Sequence, residues 1–188
     1  MSVLTAEENK INPKKFALWL ALASIMMLFA GLTSALILRS YASDWTSFKL
    51  PEIFWMNTGV ILLSSACMQG AYIAYKKYQY GFYKLALFFA IVLGCLFICL
   101  QYMGYLKLAS IGIFYNGKAS GSFLYALSFV HALHVLGGLV PMTVSFVRSL
   151  VKPFNPNKLI NVELIATYWH FVDILWLYLI ILFAIKLA

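Results

Sequence analysis

The sequence predicts an all-α integral membrane protein, built as a bundle of five transmembrane helices. The 188-residue chain is 63% hydrophobic and only 11% charged, whereas a soluble domain is nearer half apolar and a quarter charged. Its apolar residues form five long runs, and a helix needs about 20 apolar residues to cross a bilayer. Basic residues stand at the ends of these runs, so the net charge of +8 fits membrane topology and not a nucleic-acid-binding face.

The five runs follow one another with short connections. The first is longer than the apolar core of a secretory signal, which has about 7–15 residues. Lys84 near the start of the third and Lys186 near the end of the fifth can reach the headgroups. Pro141 interrupts the backbone hydrogen bonds of the fourth run and predicts a kink. We expect one membrane domain over residues 1–188, with spans at roughly 16–38, 53–75, 82–106, 122–147 and 162–187.

The basic residues predict an orientation for this bundle. With five spans, the N-terminal tail and the loops near residues 78 and 155 share a side, which carries nine lysines and arginines against five on the other. Since cytoplasmic segments are enriched in these residues, we expect the N-terminus in the cytoplasm and the C-terminus outside. The nine are Lys10, Lys14, Lys15, Lys76, Lys77, Lys84, Arg148, Lys152 and Lys158, and the five are Arg39, Lys49, Lys107, Lys118 and Lys186.

Polar side chains inside the last two spans are the candidate functional residues. His131 and His134 are three residues apart and share a face of the fourth helix. Glu163, His170 and Asp173 share a face of the fifth helix. Because a short turn joins the two helices, we expect a polar network between them. In lipid such groups turn toward the protein interior and pair with each other or with backbone carbonyls.

Three interpretations of these residues compete. A metal or haem site could use the histidines, but H-x-x-H is not the H-E-x-x-H zinc spacing. A proton or ion path would require charged residues on the first three helices, which hold almost none. We favour a hydrogen-bonded network that fixes packing, within the chain or against a partner, because unsatisfied groups are costly in lipid. Cys67, Cys95 and Cys99 form no C-x-x-C pair and are interpreted as small core residues.

Five stretches resemble subunit III of the haem-copper oxidases, and the first of them, "FALWLALASIMMLFAGLTSALILR" (16–39), is similar to the family's first shared helix. "YWHFVDILWLYL" (168–179) is similar to the last-helix signature of that family, and "GSFLYALSFVHALHVLGG" (121–138) to the helix before it. "MNTGVILLSSACM" (56–68) and "GCLFICLQYMGY" (94–105) resemble two earlier helices. The resemblance covers nearly the whole chain in the family's order. The number of helices matches the shorter bacterial form, and the last-helix residues look more like cytochrome c oxidase than quinol oxidase.

The resemblance implies a non-catalytic subunit of a respiratory enzyme. Such a subunit has no catalytic, cofactor-binding or metal-binding residues of its own; haem and copper belong to partner subunits I and II. It packs mainly against subunit I, with subunits II and IV or a respiratory supercomplex as further partners, and cytochrome c is the donor to the complex. It lies in the bacterial cytoplasmic (inner) membrane and binds phospholipid in a cleft between its helices. The lipid contacts that we expect are Arg39, Trp169 and Trp176.

The chain departs from the family pattern at two positions. The family usually has a glutamate after the serine of its first shared helix, and here Ile25 follows Ser24. It often has a second glutamate after the glutamine of its third shared helix, where this chain has Gly104. We therefore expect no proton relay through either position. Three alternatives stay open: subunit III of a quinol oxidase, a membrane transporter, and a quinone-linked membrane cytochrome.

Overall fold

The computed structural model describes residues 12–43, 45–115, 117–151 and 159–187. These residues form five α-helices and no strand, which confirms the predicted all-α class. Each helix contains the core of one predicted span and extends beyond it. The helices are α1 (Pro13–Arg39), α2 (Glu52–Lys76), α3 (Tyr80–Ser110), α4 (Ala119–Val151) and α5 (Leu159–Leu187).

Four of the helices, α1, α3, α4 and α5, are long and apolar enough to cross a membrane, so the chain is a multi-pass membrane protein. Helix α2 is less apolar because it carries polar residues such as Asn57, Ser64 and Gln69. Two of these bond to α3: the Asn57 amide nitrogen donates to Gln101 Oε1 (2.9 Å), and the Ser64 hydroxyl donates to the Ala90 carbonyl (2.8 Å). At 25 residues, α2 is about 37 Å long. Its crossing of the membrane stays a prediction.

Helices α2 and α3 form the most closely packed pair, joined by a tight turn. Tyr78 has a φ of 59°, in the left-handed region. The Gln79 amide donates to the Ala74 carbonyl (2.9 Å), and the Tyr78 amide donates to the Tyr75 carbonyl (3.2 Å). These two bonds satisfy carbonyls at the end of α2 in the Schellman pattern, with a tyrosine where glycine is usual. The turn therefore reverses the chain in very few residues.

Helix α5 packs against α1, α2 and α4 and is the most deeply buried of the four apolar helices, so it is the centre of the bundle. Helix α1 lies at the edge: in the part of the chain that the structure describes, it contacts α4 and α5 but not α2 or α3. The connection after α1 covers the far end of α5. There the Phe48 amide donates to the Leu187 carbonyl (2.7 Å), and Trp45 Nε1 donates to the Lys186 carbonyl (3.0 Å). These bonds satisfy carbonyls that the end of a helix leaves open.

Candidate functional site

His170 makes its hydrogen bonds with α2. Its Nδ1 lies 2.6 Å from Ser65 Oγ, and its Nε2 lies 3.0 Å from Gln69 Oε1. Ser65 and Gln69 are four residues apart, one turn of α2, so a single ring can bridge both. We call Ser65, Gln69 and His170 the α2–α5 seam. Ser65 belongs to one of the resemblance stretches (56–68), but nothing in the sequence pointed to it as the partner of His170.

Asp173 is buried, with 3% of its surface exposed. Neither carboxyl oxygen has a hydrogen-bond partner among the described residues. Ser65 lies close enough to interact with the carboxyl group, although outside hydrogen-bond geometry. A buried carboxyl without a partner is costly in a low-dielectric interior. The burial of Asp173 is therefore unfavourable for the stability of this chain. Ser65 is the residue of the α2–α5 seam that lies near its carboxyl group.

His131 is fully buried on α4 and is surrounded by aromatic rings. Its ring centre lies 5.0 Å from that of Trp176, 5.8 Å from Phe97 and 6.4 Å from Phe29. Within the described ranges, neither ring nitrogen has a hydrogen-bond partner. His131 therefore acts here as an aromatic core residue that joins α1, α3, α4 and α5.

His134 and Glu163 each have a partner outside the predicted network. His134 Nδ1 lies 2.8 Å from the Val130 carbonyl of its own helix. Glu163 Oε1 lies 2.7 Å from Lys15 Nζ, an ion pair that ties the start of α5 to the start of α1. Both side chains of this pair are more than a third exposed (41% and 37%), so its contribution to stability is at most about 1 kcal/mol.

The predicted α4–α5 network therefore does not form as expected. The structure brings none of the five residues, His131, His134, Glu163, His170 and Asp173, into a hydrogen bond with another of the five. His170 bonds to α2 and not to α4, the helix that the short connection predicted. A hydrogen bond from the Tyr168 hydroxyl to the His134 carbonyl (3.0 Å) does join α5 to α4.

Trp169 and Trp176, which we expected at a lipid surface, are core residues with 1% and 0% of their surface exposed. A Cβ built on Gly94 would lie 3.0 Å from Trp169 Cη2, and one on Gly138 would lie 2.9 Å from Trp169 Cε3. The indole thus occupies space that only glycines on α3 and α4 leave open. Trp176 Nε1 donates to Thr58 Oγ1 of α2 (3.1 Å). Neither indole ring is exposed enough to contact a lipid.

The two departures from the family pattern have different surroundings. Ile25 is partly buried and packs against the hydrophobic core. A Cβ on Gly104 would lie 3.2 Å from Cε2 and Cζ of Phe54, which is tighter than most real contacts. A larger side chain at position 104 would displace Phe54, so glycine here belongs to the close packing of α2 on α3.

The histidines do not converge on a metal site. In the described part of the chain, no three side chains among histidine, cysteine, aspartate and glutamate are grouped to hold a metal ion. Each histidine faces different surroundings: aromatic rings, its own helix backbone, and α2.

A basic cavity lies at the end of the bundle where α5 begins. Its volume is about 740 Å³, and its lining includes Lys14, Lys84 and Arg148. Apolar side chains of α4 and α5, including Val144 and Ile165, also line it. Sequence reasoning placed Lys84 near the headgroups but did not bring these three basic residues together, and their position near the ends of three different helices was the signal for a shared site. Arg39, the remaining predicted lipid contact, lines an open depression of about 590 Å³ near the other end, with Lys118.

Comparison with known proteins places the chain in a family. The family described as cytochrome c oxidase subunit III matches residues 15–186. A probable cytochrome c oxidase subunit 3 of Nocardia farcinica is 30% identical over 175 residues, which cover 90% of this chain and 86% of that protein. Its counterpart in Mycobacterium tuberculosis is 30% identical over 162 residues, 83% of this chain and 79% of that protein.

A longer relative agrees with these two. The cytochrome c oxidase subunit 3 of Anopheles gambiae is 34% identical over 135 residues, which cover 72% of this chain and 50% of that protein. Together with the match over residues 15–186 and the helical membrane fold, these relatives bear out the resemblance of the five sequence stretches. The chain belongs to the cytochrome c oxidase subunit III family.

Proposed function

We propose that the chain is the non-catalytic subunit III of an aerobic terminal oxidase. In the complex, electrons from cytochrome c reduce oxygen to water while protons cross the membrane, and haem and copper sit in subunits I and II. The family match over residues 15–186 carries this proposal. The geometry supports it, because His131 is engaged in aromatic packing, His170 in hydrogen bonds to α2, and His134 in a hydrogen bond to its own helix.

The contribution of the chain is to stabilise subunit I. Its polar groups and large aromatic residues hold five helices together, and broad apolar surfaces of α1 and α3 remain exposed. In a bilayer such surfaces meet either lipid or another helix. Subunit I is the main contact in this proposal, with subunits II and IV and a supercomplex as further neighbours.

Purification through a tag on subunit I tests this function. We expect the chain to co-purify with subunit I. An oxidase from a strain without the chain should keep the haem spectrum and initial turnover but lose activity faster during sustained turnover. Reduced cytochrome c should support oxygen uptake, whereas activity with quinol alone would indicate a quinol oxidase. Failure of the chain to co-purify in mild detergent would contradict the proposal.

Phospholipid binding belongs to the same proposal, and the basic cavity is its best-supported place. Three cations, Lys14, Lys84 and Arg148, line it beside apolar side chains of α4 and α5. This combination suits a phosphate headgroup followed by an acyl chain.

Lipid analysis of variants tests the cavity. The pair Lys84→Gln and Arg148→Gln should lower the amount of anionic phospholipid that co-purifies with the oxidase. Lys49→Gln, an exposed position on the connection between α1 and α2, is the matched control and should leave it unchanged. If soluble glycerol phosphate displaces the phospholipid that co-purifies with the wild-type oxidase, the cavity binds a water-soluble anion instead. Equal lipid content in all variants would exclude the cavity.

The orientation is part of the proposal and has its own test. We place the chain in the bacterial inner membrane with the N-terminus in the cytoplasm, on the basis of the nine-to-five distribution of basic residues. A cysteine introduced as Asn155→Cys should resist a membrane-impermeant thiol reagent in intact cells. Labelling from outside would invert the topology.

A further inference from the structure

The basic cavity at the start of α5 is bordered by all five helices. Its lining includes Lys14 of α1, Lys84 of α3 and Arg148 of α4, and residues of α2 and α5 also line it. None of the described residues that line it is acidic. Like charges around one space repel each other, and an anion between them removes that repulsion. The lining of the cavity therefore favours the binding of an anionic group.

Two of these cations stand on helices that do not pack against each other. Among the described helices, α1 contacts α4 and α5 but not α3, and α3 contacts α2 and α4 but not α1. Lys14 and Lys84 nevertheless line the same cavity. A phosphate group has several acceptor oxygens and can bind more than one cation at once. An anion in this cavity can therefore link two helices that have no packing contact of their own.

The N-terminal end of α1 is held to α5 by two weak polar contacts. Lys14 Nζ donates to Asn161 Oδ1 over 3.3 Å, which is long for a hydrogen bond, and this acceptor is neutral. Lys15 forms the exposed ion pair with Glu163, so the carboxylate that follows Val162 of the lining is already paired. The Lys14 ammonium group has three donors, of which the bond to Asn161 uses one. Lys14 can therefore also bind an anion in the cavity.

We propose that a phosphate headgroup bound in the basic cavity bridges α1 to α3 and α4, and so fixes the N-terminal end of α1 in the bundle. Lys14 couples the two events, because it is the cation that α1 contributes to the described lining. A ligand that binds better when Lys14 lies at the cavity shifts the population toward that position of α1. The inference rests on the phospholipid site of the proposed function and adds a conformational consequence to it.

Distances between paired spin labels on the full-length chain in lipid nanodiscs test the bridge. In a chain without its native cysteines, the first pair is Phe16→Cys on α1 and Leu85→Cys on α3, two exposed positions near the cavity. The control pair is Leu38→Cys and Leu106→Cys, two exposed positions toward the other end of the same helices. The first pair reports the link at the cavity, and the control pair reports the remainder of the bundle.

We expect phosphatidylglycerol to raise the short-distance population of the first pair about tenfold relative to phosphatidylcholine, the effect of one hydrogen bond to a charged group. Lys14→Gln should remove this difference, whereas Lys49→Gln, an exposed position on the connection between α1 and α2, should keep it. The control pair should give one distribution in both lipids. If soluble glycerol phosphate in phosphatidylcholine nanodiscs gives the same shift, the bridge is supported with a water-soluble anion in place of a lipid.

Two results would overturn the bridge: the same distribution of the first pair in both lipids, or an undiminished lipid effect in Lys14→Gln. The first comparison needs no change at Lys14, so a folding defect of that variant cannot decide the outcome. If lipid content depends on Lys84 and Arg148 but the distances do not change, the lipid site stands and the bridge alone fails. If lipid content is independent of both residues, the lipid site fails and the bridge fails with it. Neither result alters whether the chain co-purifies with subunit I.

Discussion

Two regions of this chain are each built around a histidine, and they differ in whether the ring nitrogens have hydrogen-bond partners. In the α2–α5 seam, His170 is half-buried and both of its nitrogens lie within hydrogen-bond distance of α2 side chains. In the interior of α4, His131 is fully buried and its nitrogens have no partner in the described residues. The first histidine orients polar groups at the surface. The second fills space among Phe97, Trp176 and Phe29.

The difference follows from what faces each ring. Helix α2 presents Ser65 and Gln69 one turn apart, which matches the two nitrogens of one imidazole. The helices around His131 present aromatic side chains instead. These pack against the imidazole in edge-to-face or tilted arrangements. Packing of aromatic rings is worth about 0.5–1.5 kcal/mol per pair beyond burial. A histidine in a membrane helix is thus not in itself a sign of a polar site.

The largest effect should come from crowding the aromatic interior. Gly94→Val places atoms where Leu139 Cδ2 and Trp169 already lie, at 2.8 Å and 3.0 Å from a Cβ. Forcing extra groups into a packed core costs about 1–3 kcal/mol or more. Unfolding in mixed micelles should show this loss of free energy. Gly31→Ala, where a Cβ meets nothing within 4 Å, is the control and should be neutral or slightly stabilising.

A smaller effect with the opposite sign is expected at Asp173. Because neither oxygen has a partner in the described residues, Asp173→Leu removes a buried polar group without breaking a hydrogen bond. Replacing such a group by an apolar one of similar size is neutral or stabilising, by about 1 kcal/mol. The free energy of unfolding of the isolated chain measures it. A loss of several kcal/mol would show that Asp173 has a strong partner after all.

The smallest effect should come from the exposed ion pair. Glu163→Gln breaks the 2.7 Å contact with Lys15 and should change the unfolding free energy by less than about 1 kcal/mol. The change should shrink further as salt is added, because salt screens exposed charges. Unfolding at low and high ionic strength gives both values. A large, salt-independent loss would mean that this pair holds α1 in place.

Much of the fold was predictable, because the length and apolarity of the runs are properties of the sequence itself. The helices were anticipated within a few residues, and the shared face of Glu163, His170 and Asp173 follows from helical spacing. The helix that this face meets was not predictable. A short α4–α5 connection made α4 the expected neighbour, whereas α5 lies at the centre and turns His170 toward α2.

The two tryptophans also show that contacts between helices were not predictable from the sequence of one helix. Tryptophan is common where a membrane meets water, so Trp169 and Trp176 were natural candidates for lipid contacts. The burial of Trp169 depends on Gly94 and Gly138, which lie on two other helices and leave room for one indole. Such a fit is a property of three packed helices together. No sequence pattern around residue 169 predicts this fit.

Two double-mutant cycles test the central claim most directly, which is that His170 of α5 is coupled to α2 and that Asp173 of α5 is not coupled to His131 of α4. One cycle combines Ser65→Ala with His170→Leu, and the other combines His131→Leu with Asp173→Leu. The unfolding free energies should give a coupling of about 1 kcal/mol in the first cycle and less than about 0.5 kcal/mol in the second. Coupling in the second cycle and none in the first would contradict the account.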